Sequence, residues 1–433
     1  MAQLSLTQVR HPSIGAGIAV DSLVRSILLA AVFFLLWISF QPFPDISGAP
    51  EVSEAGNVIN EVGYSLLFLL LAAWCFVHQP ARLALLARPI LIATLLWFVL
   101  CVATSWEPLL SARRLAFTFV TIGIAGMTLL LPNNIRHFSA VIAGVALTVL
   151  ALCYFGVAFL PTLSIHQASD FSDEGLVGDW RGVFGHKNEA SAAMVVFIFI
   201  GLFVARAHNM VLGAAIAVLA LAFLIFTHSR TSIIMLPVVL IVSIILPRIR
   251  RPIPGVLFAL SILIALNTFS VGSIYFEPVH KLLDSVLADA SFTGRTEIWQ
   301  FATSRMMERP ITGYGYAAFW NTPEVVYGMD ASQTWANEAS HAHNGYLDLA
   351  LTVGIPGAAL VVLWLVVLPI IDFYRSPHRP ATAPLELLFL RVCLFAAYAS
   401  AFESLLLREG GAPLFLIAAA FGLRFLSVSP AKI

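Results

Sequence analysis

The stretch 138–160, FSAVIAGVALTVLALCYFGVAFL, decides what kind of molecule this chain forms. It carries no charged side chain and exceeds the ~20 residues that a helix needs to cross a bilayer core. A strand of a membrane barrel would alternate apolar and polar residues over roughly ten positions. This run is continuous, so it reads as a membrane helix, and Pro161 marks its end.

Outward from it, comparable runs occur near 25–41, 62–78, 89–106, 114–131, 190–205, 210–228, 231–247, 253–272, 345–371, 385–405 and 411–427. Together they predict an all-α polytopic membrane protein with about 12 transmembrane helices. Composition agrees: 59% of the residues are apolar and 11% charged, against about 45–50% and about 25% in a soluble domain. The formal net charge of 0 argues against nucleic acid as a partner, which would call for a basic surface. The cysteines Cys75, Cys101, Cys153 and Cys393 all lie in apolar runs and read as small buried hydrophobes.

Charge sets an expected orientation. With the N-terminus in the cytoplasm and twelve crossings, the inner side takes 13 of the 24 Lys and Arg residues but only three acids, Asp21, Asp372 and Glu386. The other 21 acids fall toward the outer side, as the positive-inside rule requires. Both termini are therefore expected in the cytoplasm. The organisation that follows is an N-terminal membrane bundle of nine spans over 1–272, a large outer loop over 273–344, and a C-terminal bundle of three spans over 345–433. Amphipathic spacing at 279–287 and 296–307 predicts short helices within that loop, lying at the membrane surface.

Four polar clusters at the outer ends of these runs call for an explanation. His228-Ser229-Arg230-Thr231 reads as a tight turn whose arginine snorkels to the headgroups, or as a cavity mouth where Arg230 presents its fork of donors to a phosphate. Gly294-Arg295-Thr296-Glu297 reads as a helix start capped by Thr293. A cation at that position opposes the helix dipole unless an anion joins it. Ser340-His341-Ala342-His343-Asn344 places two histidines and an amide at the end of the loop. A metal pair, an inert surface pair and a general base oriented by Asn344 or a distant acid are all compatible with it. Arg181, His186 and Lys187 punctuate a glycine-rich loop at 180–189, either a polar helix cap or a cradle for phosphate or sugar. Arg391 and Glu403 lie inside an apolar run, where a charge serves function, helix packing or snorkelling.

In order, GVFGHKNE (182–189), HSRTS (228–232), GRTEIW (294–299), GYGYAAF (313–319) and HAHNGYL (341–347) resemble the bacterial O-antigen ligase and exopolysaccharide polymerase superfamily, closest to its succinoglycan-type polymerase branch. The resemblance implies a GT-C-like, inner-membrane glycosyltransferase with its active site facing the periplasm. It implies an undecaprenyl-diphosphate-linked glycan as donor and a growing glycan as acceptor, with membrane lipids around it and a flippase and chain-length regulator as partners. No cofactor and no metal are implied. The family's base falls on His343. Its diphosphate-binding arginines fall on Arg230 and Arg295, with His341, Lys187, Arg181, His186 and Asn344 as further substrate-binding candidates. An O-antigen-type ligase that transfers the lipid-linked glycan to lipid A-core or another acceptor is the nearest alternative. A lipid-linked glycan transporter is more distant, because it would place polar groups along a midplane route.

Overall fold

A computed structural model describes residues 14–47, 58–170, 174–286, 292, 294–327, 339–407 and 411–428. Its helices are α1 (Ile14–Ile38), α2 (Val58–His78), α3 (Pro80–Leu83), α4 (Pro89–Ala103), α5 (Pro108–Thr128), α6 (Ile135–Phe159), α7 (Pro161–Ser164), α8 (Lys187–Ala207) and α9 (Met210–Phe226). They continue as α10 (Arg230–Ile245), α11 (Pro252–Phe269), α12 (Glu277–Val286), α13 (Arg295–Glu308), α14 (Pro323–Tyr327), α15 (Gly345–Val362), α16 (Leu368–Arg375), α17 (Ala383–Ala399) and α18 (Gly411–Val428). Among the described residues the only β pairing is an isolated bridge between Ile165 and Trp180. Each apolar run lands on a helix. Nine helical segments of the described residues are long and apolar enough to cross a membrane, while Pro89–Ala103 and Met210–Phe226 are shorter apolar helices.

Local chemistry sets the helix starts. Proline occupies the first turn of α4, α5 and α11, where its missing N–H costs nothing. Asn134 accepts from the His137 N–H at 2.8 Å and caps α6. The innermost helices are α8 and α18, with 78% and 83% of their apolar windows buried. The α8–α9 hairpin closes through Gly201 and Gly213, where any side chain would strike the opposite backbone.

Two runs are interrupted, each for a local reason: the first kinks, as Gly354, Pro356 and Gly357 lead one to expect, and the second ends as helix before its apolar stretch does. The run 345–371 is not one straight helix. Gly354 leaves the helical region with φ 71, and a π-helical turn at Leu363–Val367 joins α15 to α16. At the break, Tyr314 N–H and Gly315 N–H donate to the carbonyls of Leu351 and Thr352, both at 3.0 Å, and Ile355 N–H donates to Pro310 O at 2.8 Å. The GYG segment thus satisfies backbone groups that the interrupted helix leaves open. The run 385–405 stops as helix at Ala399. The chain then turns, and Gly345 N–H donates to the carbonyls of Ser400 at 2.7 Å and Glu403 at 3.1 Å, stitching this turn to the start of α15.

A second apolar cluster, centred on Trp299, Phe319 and Leu351, packs α13 and the 314–322 segment onto α15. One end of the bundle gathers the C-terminal ends of α1, α11 and α17 and the N-terminal parts of α2, α5, α8, α10, α15 and α18 around a cavity of about 2060 Å³.

Candidate active site

Arg230, Arg295, His341, His343, Lys187 and His186 all line this cavity. Residues from positions 186 to 343 therefore meet in one space. Arg181 and Asn344 do not line it. Arg181 is fully buried, and its Nη1 donates to Pro44 O at 3.0 Å and Phe184 O at 3.3 Å, which fastens the 180–189 loop from behind. Asn344 is buried as the cap of α15. Its Oδ1 accepts from Tyr346 N–H at 3.1 Å and Leu347 N–H at 3.0 Å, and its Nδ2 donates to Ala401 O at 2.9 Å. It shapes the turn that carries His343.

The centre of the arrangement is Glu403. Arg295 Nη2 donates to its Oε1 at 2.9 Å, and His343 Nδ1 lies 3.4 Å from its Oε2. A second guanidinium nitrogen of Arg295 donates to the Phe402 carbonyl. Burial favours the neutral acid, yet Arg295 and then His343 hold the Glu403 carboxyl at about 2. Ionised, it can only accept, so Nδ1 of His343 carries the hydrogen and Nε2 keeps the lone pair. Burial first and the Arg295 charge second push the imidazole below its ordinary value, opposed by Glu403. His343 is held neutral and oriented. It also sits at φ 49, a strained conformation that the stitched turn maintains. The His341 ring stands edge-on to it, centroids 3.9 Å apart, and His341 Nδ1 accepts from His343 N–H at 3.3 Å.

Arg230 contrasts with Arg295. It is the first residue of α10, exposed to the cavity, with no side-chain partner among the described residues. Ser229 precedes it without a side-chain cap bond, so it leaves the first N–H groups of α10 uncapped at the end of the helix that lines the cavity. A cation beside an uncapped helix N-terminus is an arrangement that attracts anions. Lys187 is already engaged: its Nζ donates to Asp179 Oδ2 at 2.5 Å, while Asp179 Oδ1 lies 2.6 Å from His228 Nδ1. His186 caps α8 by accepting from Asn188 N–H at 3.1 Å, and burial, with His166 beside it, pushes its imidazole down to about 3. The helix α13 begins at Arg295 behind Gly294, φ 79, without a side-chain cap. The expected cap Thr293 lies outside the described residues.

Sequence reasoning did not assign Glu403, Asp179 or Asp348 to the site. Glu403 had a signal, a lone acid in an apolar run. Asp348 is fixed inside the first turn of α15, where its Oδ1 accepts from Trp320 Nε1 at 2.8 Å and Ala342 N–H at 2.9 Å.

Fold and site thus define a class: an all-α, multi-pass membrane protein with a cavity of paired and unpaired charges at one end. Residues 215–362, which hold Arg230, Arg295, His341 and His343, match the family model of the O-antigen ligases. The chain is 24% identical over 285 residues to the exopolysaccharide production protein ExoQ of Rhizobium meliloti (strain 1021), a match covering 61% of each. It is 29% identical over 122 residues to a Rickettsia conorii protein whose name proposes a polysaccharide ligase, covering 27% of this chain and 29% of that one. The chain thus spans less than two thirds of the length of either relative. These matches link it, at superfamily level, to the O-antigen ligases and polysaccharide polymerases.

Proposed function

We propose that the protein is a membrane-integrated glycosyltransferase that polymerises undecaprenyl-diphosphate-linked repeat units into exopolysaccharide or O-antigen at the periplasmic face. The observation that carries this reading is the triad Arg295–Glu403–His343 on the wall of the cavity that Arg230 also enters. The donor diphosphate sits against Arg230 and the open N-terminus of α10, within the field of Arg295. The acceptor hydroxyl gives its proton to His343 Nε2 as its oxygen bonds to the anomeric carbon. The bond from that carbon to the diphosphate breaks, and its electron pair leaves on the diphosphate oxygen, whose charge the arginines stabilise. The protein crosses the bacterial inner membrane twelve times, with both termini in the cytoplasm. A flippase that delivers the donor and a chain-length regulator are its natural partners.

The test uses purified full-length protein, lipid-linked repeat units as donor and acceptor, and separate measurements of turnover and donor binding. His343→Ala should lose about 10²–10⁴ in rate while still binding donor, because a base acts in the transition state. Near-normal turnover would overturn the assignment.

A ligase reading is favoured by two observations: the matched family description is that of a ligase, and the name of the Rickettsia conorii relative proposes one. Glycans in a deletion strain separate the two. Single lipid-linked repeat units indicate a lost polymerase, and long lipid-linked chains a lost ligase.

A further inference from the structure

Several helices build the cavity wall. The start of α10, with the turn before it, lines it with His228, Ser229, Arg230, Thr231 and Ser232 beside the apolar Ile233 and Ile234. Another part of the wall comes from α5, which contributes Arg114, Phe117, Thr118 and Thr121. These positions follow the i, i+3, i+4, i+7 spacing, so they form one stripe on one helix face. Arg114 is costly in a membrane helix unless something polar meets it, while the Thr118 and Thr121 hydroxyls donate to carbonyls of their own helix, Arg114 O at 2.9 Å and Thr118 O at 3.0 Å, and keep lone pairs that can accept from a ligand. The surface they meet is the cavity and the 314–322 segment beyond it. Thr118 Oγ1 lies 2.8 Å from Tyr316 OH, Arg114 donates to the Ala317 carbonyl, and Ser111 Oγ donates to Tyr316 O at 3.0 Å. Phe117 meets Tyr64 edge to face, centroids 5.8 Å apart. Ala317 and Asn321 on the same segment hold left-handed backbones, φ 52 and 61.

We propose that this α5 stripe, with Tyr316 and Asn321, is a saccharide subsite that seats the acceptor glycan beside His343. The proposal deepens the glycosyl-transfer reading and rests on it. A sugar ring offers hydroxyls at its edge and apolar C–H faces. The stripe offers hydroxyl, guanidinium and amide groups among aromatic rings, the mixture that orients such a ligand. The position selects the acceptor over the donor diphosphate. Trp320, adjacent to Asn321, donates to the same Asp348 oxygen that accepts from Ala342 N–H, the residue before His343. The segment facing α5 is thus tied to the backbone that aims the base.

The test compares the double variant Thr118→Val/Thr121→Val, which removes hydroxyls at nearly constant volume, with Thr118→Ser/Thr121→Ser, which keeps them. The full-length protein in nanodiscs is titrated with lipid-free repeat-unit oligosaccharide, released by mild acid from the lipid-linked material of the producing strain. The same proteins are assayed for acceptor KM, kcat and donor binding. The valine pair should weaken oligosaccharide binding and raise acceptor KM about tenfold for two lost hydroxyl contacts. Its kcat and donor binding should stay within about twofold of wild type, and the serine pair should behave as wild type. Unchanged oligosaccharide binding in the valine pair, or an equal loss in the serine pair, would overturn the subsite. Wild-type protein that binds the oligosaccharide through the stripe but turns over no lipid-linked donor would overturn the glycosyltransferase reading instead.

Discussion

Glu403 sets the behaviour of its neighbours at the scale of single residues. Its carboxyl is held at about 2, down from an ordinary 4.5. A depressed acid contributes stability above its unfolded value, and that contribution is lost as pH falls from 4.5 toward 2. Melting curves of the detergent-solubilised protein should therefore drop through this window, and Glu403→Gln should flatten the drop. His343 lies below its ordinary 6.5, and as a base it works when neutral. The acid limb of kcat/KM should fall below 6.5, and Glu403→Gln should move it lower still, since Glu403 is the group that opposes the depression. The two arginines should part company. Arg295→Ala strips a part-buried carboxylate of its partner and should cost on the order of 2–3 kcal/mol of stability as well as donor affinity. Arg230→Ala, which breaks no ion pair among the described residues, should lower donor affinity with an unchanged melting temperature.

At the scale of elements, α15 is the informative one. Its break at Gly354 lets the GYG segment dock, and a Cβ there would run into the Ile311 carbonyl in addition to adopting φ 71. Gly354→Ala should cost on the order of 3 kcal/mol and loosen the 314–322 wall of the cavity. Gly144→Ala in α6 is the control. Nothing lies within 4 Å of its added methyl group, so relief of backbone freedom should leave the protein as stable or slightly more so. Thermal unfolding of the two variants, followed side by side, checks both expectations. The glycine-proline signal at 354–357 was readable as a kink, whereas its docking partner, forty residues upstream, was not.

The whole molecule turns on which end of the bundle faces which compartment. The cavity lies where the charge asymmetry expects the outer side, so a cysteine at Ser285, exposed on α12, should react with an impermeant thiol reagent in intact spheroplasts. A cysteine at Asn209, in the α8–α9 turn, should react only after lysis. The four native cysteines are buried and give a low background. The reverse pattern would invert the orientation and move the proposed chemistry to the cytoplasm.

Hydropathy and charge alone determined the helical class, because a bilayer demands long apolar runs that satisfy their own backbone, and those runs are visible one residue at a time. The candidates at 186–187, 230, 295 and 341–343 were legible for a related reason: polar groups beside apolar spans are costly unless used. Only the folded chain decided that Arg181 and Asn344 brace loops while Glu403 joins Arg295 to His343. Those roles depend on where a turn after α17 is stitched to the start of α15, a contact across some sixty residues that hydrogen bonds of the backbone make and no local pattern announces. The α5 stripe shows the same division. Its spacing is written in the sequence, but the surface it faces is built by a segment two hundred residues away.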